Sequence, residues 1–128
     1  MKAAYVDTSI LVAILLGESD HEDLISRLRV FDQLFSSNLL EAELRSALKR
    51  EGAEEIDEGP LTWIWWVYPS RPLTPEFKSV LEEGYLRGAD LWHLACALQL
   101  REESIEVTFL SLDEKQAAVA GLMGFALE

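Results

Sequence analysis

The sequence predicts an α/β fold, a three-layer sandwich with a mainly parallel central sheet flanked by helices. Short apolar, β-rich runs such as "KAAYV", "QLFSS" and "EVTFLSL" recur along the chain. Longer segments with helical spacing separate them, and glycines and prolines fall at the joints between segments. Strands divided throughout by helices pair in parallel through crossovers, and this pattern marks the layered α/β class.

Each element follows from local pattern. "KAAYV" reads as a buried strand, and "SILVAILLG" after Asp7 as a helix closed by Gly17. "DHEDLISRLRV" spaces Leu24, Ile25 and Leu28 as a second helix does, and "QLFSS" is a short strand. "NLLEAELRSALKREG" predicts a helix capped at Asn38 and ended by Gly52, with a solvated acidic stretch "AEEIDEG" behind it. "LTWIWWVYPSRP" reads as a helix end running into a strand before Pro69 and Pro72. Its tryptophans fill the core or form an exposed aromatic patch, and the sequence leaves both open. "PEFKSVLEEGYL" is a helix with Pro75 in its first turn, and "GADLWHLACALQLREE", apolar on nearly every side, is a helix buried in the fold. Strand "EVTFLSL", helix "DEKQAAVAGLMG" and a short closing strand "FALE" complete the order.

The 128 residues fit one domain, 1–128, because cores of that size support themselves. With 49% hydrophobic and 27% charged residues the chain has the composition of a folded protein. No apolar run approaches the ~18 residues that span a bilayer, and Asp7 interrupts the N-terminal apolar segment, so a cytoplasmic, uncleaved protein is expected. Cys96 stands alone in "LACAL", where a buried inert thiol is expected. The net charge of −12 has the wrong sign for a general nucleic-acid binder. Either acids cluster to hold divalent cations, or a partner of this surface is basic.

Four acids bear on that choice. In a parallel α/β sheet ligands bind where strands hand over to helices. Asp7 and Asp113 stand at such handovers, after "AAYV" and "VTFLSL". Each also suits a helix N-cap, and Gln116 completes a capping-box spacing with Asp113. Asp90 precedes the most buried helix and is a candidate cap too. Glu43 is not: at about 100° per residue it falls within the apolar stripe of its helix, while Glu41 pairs with Arg45 at i,i+4. An inward glutamate is costly without a partner or a metal, and no basic residue in the sequence evidently meets it. Carboxylates gathered at one edge repel unless a hard cation such as Mg²⁺ or Mn²⁺ lies between them, and such a site suits phosphodiester hydrolysis.

"YVDTSIL", "LLEAEL", "GADLWHLACAL" and "VTFLSLDEKQ" resemble, in order and spacing, the signature blocks of PIN-domain proteins, and especially of VapC-type toxins of toxin–antitoxin pairs. The resemblance implies that Asp7, Glu43, Asp90 and Asp113 are the catalytic and metal-binding acids of a Mg²⁺- or Mn²⁺-dependent ribonuclease acting on RNA. It further implies a homodimer and an antitoxin whose basic tail enters the acidic cleft. Trp92 and His93 follow Asp90 where the family often has small residues, and Leu112 precedes Asp113 where it often has a polar one. Ser9 and Ser111 are candidates for supporting the first acid.

His93 is either a general base or a histidine hydrogen-bonded inside the first turn of a buried helix; His21, in a charged stretch, is expected at the surface. Arg45, Lys49, Arg71 and Arg87 are candidates to flank an RNA path. Two other functions are carried beside the nuclease. A catalytically silent PIN-like binding module would keep the fold without turnover. A phosphoacceptor signalling domain is also small and acidic at its sheet edge, but calls for paired acids after the first strand and a lysine after a late one. This chain has one acid after its first strand, and Lys115 lies inside the last helix.

Overall fold

The structure, a computed structural model, describes residues 1–53, 55 and 57–128. These form strands β1 (Ala3–Val6), β2 (Gln33–Ser37), β3 (Ile64–Val67) and β4 (Thr108–Leu110) and helices α1 (Thr8–Leu15), α2 (His21–Leu28), α3 (Leu39–Arg50), α4 (Thr74–Glu83), α5 (Gly88–Gln99) and α6 (Glu114–Leu122). Short 3₁₀ turns at Gly59–Trp63 and Leu100–Glu103 lead into β3 and out of α5. All strand pairings are parallel, in the order β3-β2-β1-β4, as the sandwich class requires.

Side-chain alternation along β1 divides the core in two. Ala3 and Tyr5 face a cluster with Leu73, Val80, Leu94 and Phe109, on the side of α4, α5 and α6. Ala4 and Val6 face Ile10, Leu24, Leu40 and Leu44, on the side of α1, α2 and α3. Because β1 is central and covered on both faces, all four of its residues are buried, and its sequence reads as a continuous apolar run. Full burial of each such leucine or isoleucine contributes on the order of 2 kcal/mol.

Local chemistry sets most of the boundaries. Gly17 and Gly52 close α1 and α3 with φ of +65° and +67°, the left-handed conformation that costs glycine least. Asn38 precedes α3 but does not cap it with its side chain; its amide donates to Glu41 Oε1 at 3.1 Å instead. The expected closing strand is reduced to a single bridge, Thr108 with Ala126, where Phe109 N–H donates to Ala126 C=O at 2.8 Å. "AEEIDEG" contains Glu54 and Ile56, which lie outside the described residues.

The aromatic segment divides between its two readings. Ile64 and Val67 are buried and Trp66 packs against the α1–α3 side, whereas Trp65 is 58% and Tyr68 69% exposed. β3 is an edge strand, so part of its surface has no neighbouring strand to cover it. Cys96 is buried as expected, and burial pushes its thiol up to about 12. Among the described residues no helix is long and apolar enough to cross a membrane.

Candidate metal centre at the carboxyl edge

From β1 the chain builds the sheet in one direction, through β2 to β3, and then returns to place β4 on the other side of β1. The crevice beyond the carboxyl ends of β1 and β4 is therefore a topological switch point. Asp7 follows β1, and its backbone N–H extends the ladder by donating to Leu110 C=O at 2.9 Å. That bond sets the turn after β4 beside Asp7.

Asp7 caps α1 from an extended backbone (φ −75°, ψ 154°), and its Oδ2 accepts Ser9 N–H at 3.2 Å and Ser9 Oγ–H at 2.8 Å. Ser9 Oγ in turn accepts Leu112 N–H at 3.0 Å, which joins the two handovers. Ser111 Oγ lies 3.3 Å from Asp7 Oδ2 and 2.7 Å from Gln116 Oε1. Its one proton serves the shorter contact better. Asp113 caps α6 by accepting Lys115 and Gln116 N–H through Oδ1 at 2.9 and 3.1 Å. Only half of a capping box forms: Ser111 Oγ takes the Asp113 N–H, and the buried Gln116 side chain accepts from Ser111 and donates to Asp90 C=O at 3.2 Å. Gln116 thus ties α5 to the turn after β4.

Asp90 is the third residue of α5 rather than its cap, a position held by Arg87. Burial pushes its carboxyl above the usual aspartate range, and the negative charges of Asp7, Asp113 and then Glu43 push the same way. Arg87 Nε, 3.8 Å from Asp90 Oδ2, offsets part of this from a side chain that is 80% exposed. The charges of Asp7, Asp113 and Glu43 thus all reach Asp90.

Glu43 corrects one sequence expectation, since a partner does meet it. His93, 1% exposed, donates from Nε2 to Glu43 Oε1 at 2.8 Å, and Thr8 Oγ1 donates to the same oxygen at 2.8 Å. Partial burial works to raise the Glu43 carboxyl, but these two hydrogen bonds outweigh it and hold the group below its usual range. On the far side of the ring, His93 Nδ1 meets Tyr5 Oη at 2.8 Å, and Tyr5 Oη accepts Ser37 N–H at 3.1 Å. One arrangement that satisfies the chain has Ser37 N–H donating to Tyr5, Tyr5 O–H donating to Nδ1, and Nε2–H donating to Glu43. His93 lies in the second turn of α5, not the first, and of its two readings it takes the hydrogen-bonded one.

Sequence reasoning missed Tyr5, Thr8 and Gln116. Gln116, three residues past Asp113, carries a local signal that reads as capping, and Thr8 is marked only by its place beside Asp7. Nothing marked Tyr5 apart from its place in a strand. Two expected RNA-path cations are engaged elsewhere: Arg45 pairs with Glu41 and Glu58 at 2.8 and 2.9 Å, and Arg71 with Glu76 and Glu102 at 2.7 and 2.6 Å.

The donor set suits a hard divalent cation, being all carboxylate oxygen. Among the described residues, Asp7 Oδ1, Glu43 Oε2, Asp113 Oδ2 and both Asp90 oxygens accept no hydrogen bond. No three acidic, histidine or cysteine side chains among the described residues stand close enough to enclose an ion as they are. The fit to a cation therefore lies in donor chemistry and accumulated charge, not in a closed cage.

A family model described as PIN domain matches residues 4–122, while no curated protein matches the chain. PIN domains are in general metal-dependent nucleases that use divalent ions. The match takes in nearly all of β1 and every later strand and helix. With a parallel sheet, acids at its switch point and a family model spanning both, the chain belongs to the PIN-domain family.

Proposed function

We propose that the chain is a divalent-metal-dependent endoribonuclease, one domain over 1–128, in which Asp7, Glu43, Asp90 and Asp113 hold Mg²⁺ or Mn²⁺ and carry the chemistry. The observation that supports this most directly is the PIN-domain match over residues 4–122, with Asp7 and Asp113 following β1 and β4 at the carboxyl edge of the parallel sheet. A group of like charges maintained at a sheet's ligand-binding edge is costly in isolation and is relieved by a cation. When bound, the ion supplies Lewis acidity to the phosphate and lowers the pKa of water for in-line attack.

The chain's own residues supply the frame. Ser9 fixes Asp7 through both its amide and its hydroxyl. Thr8 and His93 hold one oxygen of Glu43 and leave the other to the cleft. Gln116 sets the start of α5, and with it Asp90, against Asp113. His93 acts here by positioning Glu43, because its Nε2 proton is committed to that carboxylate. The resemblance to VapC-type toxins extends the proposal to a toxin of a toxin–antitoxin pair, homodimeric and cytoplasmic, whose antitoxin brings a basic tail to an acidic surface. The net charge of −12 supports such a partner by complementarity.

Cleavage of labelled RNA with and without Mn²⁺, beside the Asp7→Asn variant, tests the reading. The wild type is expected to cut only with metal, and Asp7→Asn to lose about a hundredfold or more in rate while keeping its circular dichroism. RNA bound by the wild type but left intact in Mn²⁺ and Mg²⁺ supports the silent binding module instead.

A further inference from the structure

At the carboxyl ends of β2 and β3 lies a groove of about 400 Å³ whose lining includes Asn38, Ala42, Val67, Tyr68, Pro69 and Trp92. Ala42 and Trp92 are the chain neighbours of Glu43 and His93, so α3 and α5 wall both the groove and the acidic site. Trp92 is held in place: its indole N–H donates to Ser37 Oγ at 3.0 Å and its ring packs on Phe77 at 6.1 Å. Tyr68 is 69% exposed, and its hydroxyl makes no hydrogen bond among the described residues.

We propose that this groove receives one unpaired nucleobase of the RNA substrate, stacked on the Tyr68 ring. The proposal rests on the nuclease reading. With a net charge of −12, and with the guanidinium groups of Arg45 and Arg71 already paired with carboxylates, these two arginines offer little phosphate attraction to hold RNA. Stacking of a base on an aromatic face does not depend on that charge, and it tolerates any base because each has a π-face. Single-stranded RNA is commonly held in this way, with base edges left free for polar groups. Asn38, at the rim, keeps its carbonyl oxygen and one N–H unpaired among the described residues and serves as such a group. Only an unpaired base enters, so loops and single strands are bound in preference to duplex.

The test measures fluorescence anisotropy of a labelled oligoribonucleotide on the full chain, in an Asp7→Asn background that prevents turnover, while a single abasic site is walked along the RNA. Tyr68→Ala is expected to raise Kd about tenfold on intact RNA. On the oligonucleotide whose abasic site removes the stacked base, the same substitution is expected to have almost no effect. Tyr68→Trp should retain binding, and Trp65→Ala, an exposed aromatic outside the groove, should match the parent. Unchanged binding by Tyr68→Ala, or a loss equal on every abasic oligonucleotide, overturns the assignment even where the wild type cuts RNA; a protein segment as occupant gives the first result. A wild type that neither binds nor cuts RNA removes the nuclease reading, and this one with it.

Discussion

Asp90 concentrates the conflict between stability and function. Its carboxyl is pushed up by burial and by Asp7, Asp113 and Glu43, so the folded protein binds this proton more tightly than the unfolded chain does. The sign follows directly: the stability this proton lends is present below the usual aspartate range and is lost as pH rises through the raised range. Asp90→Asn removes the charge while keeping the shape. In the absence of divalent ions it should raise Tm at pH 7 by roughly 2–5 °C, with the gain fading below about pH 4. Thermal melts at the two pH values check this, and a variant equally destabilised at both contradicts the repulsion. Glu43 behaves oppositely because His93 and Thr8 donate to it, which lowers its pKa and makes its charged form stabilising above the usual glutamate range. The four acids are therefore not equivalent, although a sequence presents them alike.

At the scale of elements, helix ends do much of the positioning. α1 and α6 begin at Asp7 and Asp113, whose carboxylates cap them through one oxygen and leave the other without a hydrogen bond among the described residues. The capping reading and the metal reading of these residues are thus compatible. The C-terminal ends of α1 and α3 depend on Gly17 and Gly52, where a Cβ meets no atom within 4 Å but the backbone is left-handed. Gly52→Ala should accordingly cost about 1 kcal/mol from backbone strain alone. Gly88, also free of neighbours within 4 Å but without positive φ, should accept alanine with stability unchanged or slightly raised. Chemical denaturation of the two variants separates conformation from crowding, and equal costs at both sites contradict a conformational origin.

Across the whole molecule, charge is the influence with the longest reach. Twenty-three acidic against 11 basic residues give −12, and several arginines are already committed to ion pairs such as Arg45 with Glu58 and Arg71 with Glu76. Exposed pairs of this kind contribute little to stability, because water screens them. Raising monovalent salt from about 0.01 M to 0.15 M should therefore raise Tm, because screening weakens repulsion at long range first. A fall in Tm would show that the pairs outweigh the repulsion.

The sequence by itself determined the order of elements as far as α6, the mainly parallel sheet and the stations of Asp7 and Asp113, because strand runs, helix periodicity and cap residues are local properties of the chain. It also marked Glu43 as unusual, since a charge near an apolar stripe is visible on a helical wheel. What meets Glu43 was decided by tertiary structure: His93 is fifty residues away in sequence and reaches Glu43 only when α5 covers its face of the sheet. The same holds for Tyr5, whose hydroxyl matters because strand alternation turns it toward α5, and for Gln116, which bridges two elements. Only the assembled fold exposed Tyr68 and Trp65 while burying Ile64 and Val67, because burial at an edge strand depends on what the rest of the chain leaves uncovered.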